Sequence, residues 1–267
     1  MNERLRNGKF SSSKPYKVHS LERGLDLIEI MADKVSEKSL TEISKRAGFN
    51  LSTTHRILKA LKSRGYVEQN PTNSKYRLTF KFFEIGNVIV RGLDFREEAV
   101  PVLTDLAEKT GESAHLIILD HNEALCIERI EGYHHIKVLF LQTGGRMPLH
   151  VGAGPRVLLA HLPEEEIDRV IKNKGLPAWT RRTITDPQVL KKDLEKIREQ
   201  GYALSFKDVS EDVASVGCPV RQCGDEVVAA ISIGGISTHF AENKLPSLIK
   251  MVKDAAYELS RRLNAAP

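Results

Sequence analysis

The sequence predicts an α+β protein of two domains: a small helical module closed by a β-hairpin, then a larger domain whose strands and helices come in blocks. Three observations carry this reading. Residues 1–80 hold 16 Lys+Arg against 8 Asp+Glu, whereas residues 81–267 hold 24 against 27. Amphipathic helical patterns separated by capping and turn residues precede two short strand-like runs. From Ser113 onward the texture changes to strands, then helices, then strands again, a grouping rather than a strict alternation. A basic first third on a near-neutral body suits a module that faces a polyanion, joined to something else; on charge alone the alternative is a basic tail that helps solubility.

Residues 1–17 are basic and Ser-rich without periodicity, and a disordered arm is expected there. The stretch "SLERGLDLIEIMAD" then places Leu21, Leu25, Ile28 and Met31 on one helical face. In "SLTEISKRAGF", Ser39 followed three residues later by Glu42 fits a capping box, Gly48 fits a helix end, and Leu40, Ile43 and Ala47 form the inner stripe. A few residues on, Asn50 or Ser52 is available to cap a third helix, "LSTTHRILKALKS". Two helices joined by a short turn containing Gly are the helix-turn-helix signature. "YVEQN" and "KYRLT" around "PTNS" add a hairpin, which predicts a winged helix-turn-helix over 18–79. Unrelated α+β proteins also contain such a run, so organisation alone leaves the DNA-binding reading open.

The third helix decides more. At 100° per residue, Leu51, Thr54, Ile57, Leu58 and Leu61 cluster on an inner side. Ser52, Arg56, Lys59 and Ser63 fall opposite, with Thr53 and His55 at the flanks and no acid among them. An ordinary solvated face mixes acids with bases, so this one suits a phosphate-lined groove. Arg56 has the bidentate fork that reads guanine, and His55 suits a base or a phosphate. Ser52, Thr53 and Thr54 sit near the helix N-terminus, where amides and the dipole favour phosphate. The angle count turns Thr54 inward, which sets a capping or packing role against its candidacy. Lys59 and Lys62 suit the sugar–phosphate backbone, and Asn73, Ser74, Lys75 and Arg77 of the wing suit a flanking groove.

A linker helix is expected over 80–94, interrupted near Gly92, with Pro101 suiting the first turn of the next helix. Its stripe of Phe82, Phe83, Ile85 and Ile89 needs a partner, either its own domain or, as favoured here, a second copy of the chain. In the remaining 95–267, "AHLIILD", "ALCIERI" and "IKVLFLQ" read as a meander. "AGPRVLLAHL", "EEEIDRVIKN" and "PQVLKKDLEKIREQG" read as helices; "YALSF", "ASVGCPV" and "EVVAAISIGG" read as strands. A last helix carries Leu248, Ile249, Val252, Ala256, Leu259 and Leu263 at helical spacing.

Other functions are poorly served. No run of about 18 apolar residues is present, so no membrane span is expected, and the start lacks the apolar core of a secretory signal. Three cysteines are too few and too odd for a disulfide framework, which points to a reducing cytoplasm. Cys218 and Cys223 lack C-x-x-C spacing, and no histidine spacing is diagnostic of zinc, so a metal site is left open. Without a G-x-S-x-G, P-loop or dinucleotide motif, neither an enzyme nor a cofactor is expected.

The quoted N-terminal segments resemble the winged helix-turn-helix of the IclR family of bacterial transcription regulators. The likeness continues through "MPLHVGAGPRVLLAHLP", "IREQGYALSFKDVSEDVASVGCPV" and "EVVAAISIGG", which resemble the family's GAF-like effector-binding domain. The resemblance implies a homodimer, or a homotetramer built as a dimer of dimers, on palindromic double-stranded operator DNA. It also implies a small organic acid effector held by a Gly/Ala loop (Gly152, Ala153, Gly154), Asp208, Cys218 and Ser232. Gly234 stands where some members have a second serine, which implies an effector larger or less polar than a two-carbon acid. Read without the family, Gly152 and Gly154 fit an anion cradle and a plain tight turn equally well, and a strand cysteine is ordinarily a small core residue. The alternative is a ligand-independent DNA-binding dimer whose larger domain only oligomerises.

Overall fold

The structure is a computed structural model that describes residues 18–33, 36–91, 95–134, 141–223 and 225–265. The expected arm lies outside these residues. The chain divides into two compact units between Gly92 and Leu93.

The first unit contains α1 (His19–Ala32), α2 (Leu40–Ala47), α3 (Leu51–Ser63), the hairpin β1 (Val67–Gln69) and β2 (Tyr76–Leu78), and α4 (Lys81–Arg91). Its caps are those the sequence indicates. Ser39 Oγ accepts from Glu42 N–H, Gly48 ends α2 at φ 68°, and Asn50 Oδ1 accepts from Thr53 N–H at 2.8 Å. The core is Leu27, Met31, Ile43, Leu58, Val67 and Tyr76. Here α1 departs from expectation, because Leu21 and Leu25 stand 61% and 50% exposed while Gly24, Leu27 and Met31 turn inward. The helix has two neighbouring apolar stripes, and the one containing Gly24 approaches α3 closely. A Cβ at Gly24 would already sit 4.0 Å from Ile57. In α3, Leu51 is likewise on the exposed side, whereas Thr54 and Leu58 are fully buried. In α4, Phe82 packs against Tyr66 with tilted rings whose centroids are 5.3 Å apart, so part of the linker stripe packs on its own domain, while Phe83, Val88 and, just before the helix, Phe80 stay exposed.

The second unit opens with α5 (Phe95–Thr110). Pro101 is not in its first turn as expected but inside the helix, on the exposed side, where the missing N–H forfeits one bond to the preceding turn. One antiparallel sheet follows. Its strands are β3 (Ser113–Asp120), β4 (Glu123–Ile130), β5 (Arg146–Pro148), β6 (Ala203–Phe206), β7 (Val213–Gln222) and β8 (Glu226–Ile236). They lie in the order β5-β4-β3-β8-β7-β6. Most of the expected strand "IKVLFLQ" (136–140) lies outside the described residues, and the strand seen beside β4 is Arg146–Pro148.

Helices cover both faces, in the GAF-like α+β layout that the resemblance implies. Helix α5 and α9 (Leu245–Ala265) bury one face with Leu103, Leu106, Val252 and Leu259. On the other face lie α6 (Ala153–Ala160), α7 (Glu164–Lys174) and α8 (Pro187–Gln200), packed through Val157, Leu159, Ile167, Leu190 and Leu194. Alternation along a strand therefore decides which helix layer each side chain meets. Among the described residues, no helix is long and apolar enough to cross a membrane.

Candidate DNA-reading helix and effector pocket

Helix α3 presents Ser52, His55, Arg56, Lys59 and Ser63 to solvent, with Thr53 half-buried beside them. Its first turn holds no acid, and none stands elsewhere along the helix. The Asn50 cap takes the Thr53 amide, and the rest of the first turn keeps its N–H groups at an exposed helix end. Thr54 is corrected as a DNA contact. Its Oγ1 donates back to the Asn50 carbonyl at 3.1 Å and its side chain is buried, so it seats the helix rather than touching a groove. Ser63 donates to the Ala60 carbonyl at 2.8 Å and acts on its own helix end.

The wing is more pre-engaged than its sequence suggests. Asn73 Nδ2 donates to Glu37 at 2.8 Å, and Asn70 donates to the same carboxylate at 3.0 Å. These two bonds, Asn73 first, hold the Glu37 carboxyl below the usual carboxylate range. Arg77 pairs across the hairpin with Glu68, its register partner. Ser74 takes a left-handed conformation at φ 58°, and Lys75 stands exposed at the tip. Asn73 therefore fixes the wing, Arg77 must exchange an exposed ion pair to reach phosphate, and Ser74 and Lys75 are the wing's accessible donors.

In the second unit a cavity of about 50 Å³ opens at the N-terminus of α6. Gly152, Ala153, Gly154 and Ser232 line it, together with His115, Ser215, Gly234 and a wall of Ile117, Leu141, Met147, Val209 and Val213. Two glycines are required here by space. A Cβ on Gly154 would stand 2.5 Å from Ile117 Cδ1, and one on Gly217 would stand 2.8 Å from the Gly154 nitrogen. Only bare backbone lets α6 lie this close on β7 and β8. Ala153 N–H donates to Ser215 Oγ at 3.2 Å, and Gly154 N–H is a second-position amide without an acceptor inside its own helix. The Gly154 N–H is thus the amide left to face an anion at this helix end.

Two expected pocket residues are not in its lining. Asp208 is buried behind the loop, where it accepts Gly152 N–H at 3.2 Å, Arg156 at 3.2 Å and the Ser205 hydroxyl. Arg156 also bonds Asp193 at 2.6 Å and the Leu204 carbonyl at 2.8 Å. Asp208 thus positions the cradle. Cys218 is corrected outright, since it pairs with Ile231 and faces the opposite helix layer among Val216, Val220 and Leu259. Burial there pushes its thiol up to about 12. The residue of β7 that does face the loop is Ser215, three positions earlier and of opposite parity. His115, also missed, is 8% exposed. Burial first, then the charge of Arg129, lowers its imidazole to about 4, so it is neutral near pH 7 and both donates and accepts. Only the register, with His115 opposite Ser232 and Ser215 opposite Gly234, brings these groups together.

The family pattern described as "Bacterial transcriptional regulator IclR C-terminal" matches residues 88–261, and the IclR helix-turn-helix domain matches residues 20–71. The chain belongs to the IclR family of transcriptional regulators. It is 35% identical to the transcriptional regulator XynR of Escherichia coli, covering 92% of this chain and 97% of that protein. The transcriptional repressor IclR of the same organism is 29% identical over 91% of this chain and 89% of its own length. Among solved structures, the Thermotoga maritima IclR superposes with a TM-score of 0.79 at 29% identity, covering 92% of this chain and 99% of that one. An IclR homologue from Microbacterium hydrocarbonoxydans, complexed with 4-hydroxybenzoate, gives 0.81 at 25% identity over 92% and 100%. The winged helix-turn-helix of this IclR-family regulator is its DNA-binding domain, and its larger unit is the family's C-terminal domain.

Proposed function

We propose that this regulator binds palindromic double-stranded operator DNA as a homodimer or homotetramer, and that a small organic acid in the α6 pocket alters that binding. The observation that carries the DNA half is the outer face of α3, where Ser52, His55, Arg56 and Lys59 are exposed together without an acid. Arg56 reads a base edge and Lys59 grips phosphate. The exposed apolar residues Phe83 and Val88 of α4, with Phe80 just before it, supply the surface on which a second copy packs.

The effector half rests on the pocket's donors. Gly154 N–H, the Ser215 and Ser232 hydroxyls and the neutral imidazole of His115 suit a carboxylate carrying one further polar group, and the apolar wall takes its carbon chain. The relative that carries 4-hydroxybenzoate, itself a carboxylate, supports this chemistry. Gly234 leaves space where a side chain would meet only ordinary contacts, 3.7 Å to Ser215 Cβ being the shortest. We infer a keto or hydroxy acid longer than two carbons. A thermal-shift screen of the full-length protein against organic acids tests this, because a ligand bound only by the folded state raises the melting temperature. A hit that also changes affinity for DNA upstream of the regulator's own gene supports the reading. A flat screen, with DNA binding intact, favours a larger domain that only oligomerises.

A further inference from the structure

We propose that Glu112, His134 and His239 form a zinc site, separate from the effector pocket, that clamps the ends of β3 and β8. Three chain segments converge there: the turn between α5 and β3, the residues following β4, and a single 3-10 turn, Ser237–Phe240, following β8. One ligand atom from each of the three side chains lies within 4.8 Å of the others. Glu112 Oε1 is 2.7 Å from His239 Nδ1 and 3.4 Å from His134 Nε2. Ligands around tetrahedral zinc sit roughly 3.4 Å apart at zinc–nitrogen distances of about 2.0–2.1 Å, so the His134 spacing is already that of a coordinated pair. The His239 contact is a hydrogen bond whose proton the metal replaces.

A second, independent feature is the backbone around the cluster. Gly235 is where it must be for Glu112 to enter, since a Cβ there would stand 1.8 Å from Oε2. Gly111, at φ 76°, would place a Cβ 2.5 Å from His134 Nε2. A Cβ on Gly132 would strike the Gly111 carbonyl at 2.0 Å. Three glycines thus make the room that brings these ligands together, and His134 N–H donates to the Gly111 carbonyl at 3.3 Å, fixing its segment.

The donor set selects the metal. Two imidazoles and one carboxylate suit zinc, whereas magnesium and calcium require oxygen ligands. The carboxylate side chain is 5% exposed and the imidazoles are 35% and 31% exposed, so the ion sits at the surface with its carboxylate beneath and a position open to water. None of the three residues lines the effector pocket, yet Ser113, next to Glu112, is paired in register with Gly234 of β8, the strand that leads into the turn carrying His239. A bound ion therefore stiffens the two strands that carry His115, Ser232 and Gly234.

The test is zinc titration of the chelator-stripped full-length protein by calorimetry, with cobalt(II) as a spectroscopic stand-in. The expected result is about one zinc per chain. Cobalt should show visible ligand-field bands without a thiolate charge-transfer band, which separates this site from one built on the exposed Cys223. Glu112→Gln and His239→Ala should each weaken binding by at least about tenfold. His134→Ala, on the outer side of the cluster, should do the same if the first two variants fail to fold. No zinc uptake by the wild-type protein, uptake unchanged in His134→Ala, or a thiolate band would each overturn the proposal.

Discussion

Asp208 accepts the backbone N–H of Gly152 at 3.2 Å from behind the loop whose front faces the pocket. The carboxylate and its Arg156 partner, both outside the cavity lining, therefore determine where the amides of Ala153 and Gly154 point. Buried hydrogen-bonded charge pairs respond strongly to loss of one partner.

Asp208→Asn keeps the shape and removes the charge opposite Arg156. The expected cost is about 1–3 kcal/mol in urea unfolding, with Asp208→Ala costing more, on the order of 3–5 kcal/mol. Effector affinity should fall in both. An Asn variant of wild-type stability and unchanged ligand affinity would show that the loop holds itself.

Ser215 and Cys218 separate the pocket face of β7 from its core face. Ser215→Ala should weaken effector binding by roughly 1–2 kcal/mol, because the Ala153 amide and the ligand both lose a partner. Cys218→Ala should leave affinity unchanged and cost only packing. A thiol reagent applied to the folded protein should modify Cys223, the exposed cysteine, and spare Cys126 and Cys218, whose thiols burial pushes up to about 12. Equal affinity losses at Ser215 and Cys218 would contradict the observed parity.

This parity shows what the sequence discloses and what it hides. Local rules were enough for the caps at Ser39, Gly48 and Asn50 and for the inward turn of Thr54, because they depend on spacing within a few residues. They were insufficient for Leu21 and Leu25, where two apolar stripes compete and tertiary packing buries the one with Gly24, Leu27 and Met31. Strand pairing is non-local, so nothing in "ASVGCPV" says that Ser215 rather than Cys218 shares a face with Ser232. Loops far apart in sequence bring Glu112, His134 and His239 together, and their spacing carries no periodic signal at all.

His115 makes stability depend on pH. Its folded imidazole titrates at about 4 against an ordinary 6.5, so between these values the unfolded chain binds more protons than the folded one. Stability is full above pH 6.5, falls as pH drops from 6.5 to 4, and levels off below. The contribution is about 3 kcal/mol for a shift of this size. His150 and His161, also lowered by burial, add in the same direction. His115→Gln should flatten the pH 4–6.5 limb of a denaturation series, and an unchanged slope would remove His115 as its source.

Gly234 and Gly154 should respond oppositely to a small side chain. Gly234→Ser finds only contacts of 3.7–3.9 Å and should fold normally while shifting preference toward two-carbon acids such as glyoxylate. Gly154→Ala meets Ile117 Cδ1 at 2.5 Å and should lose about 1–3 kcal/mol of stability. Calorimetry with a series of keto acids measures the first and thermal unfolding the second. Glyoxylate bound by the wild-type protein as tightly as any longer keto acid would refute the role given to Gly234.

Operator titration of Arg56→Ala beside Lys59→Ala at several salt concentrations tests whether α3 reads DNA through its acid-free outer face. Arg56→Ala should cost about 1–3 kcal/mol on the operator and relax preference at one base per half-site. Lys59→Ala should weaken all sequences alike and flatten the salt slope by about one contact. Operator affinity and base preference unchanged in Arg56→Ala would contradict the groove-facing orientation of α3.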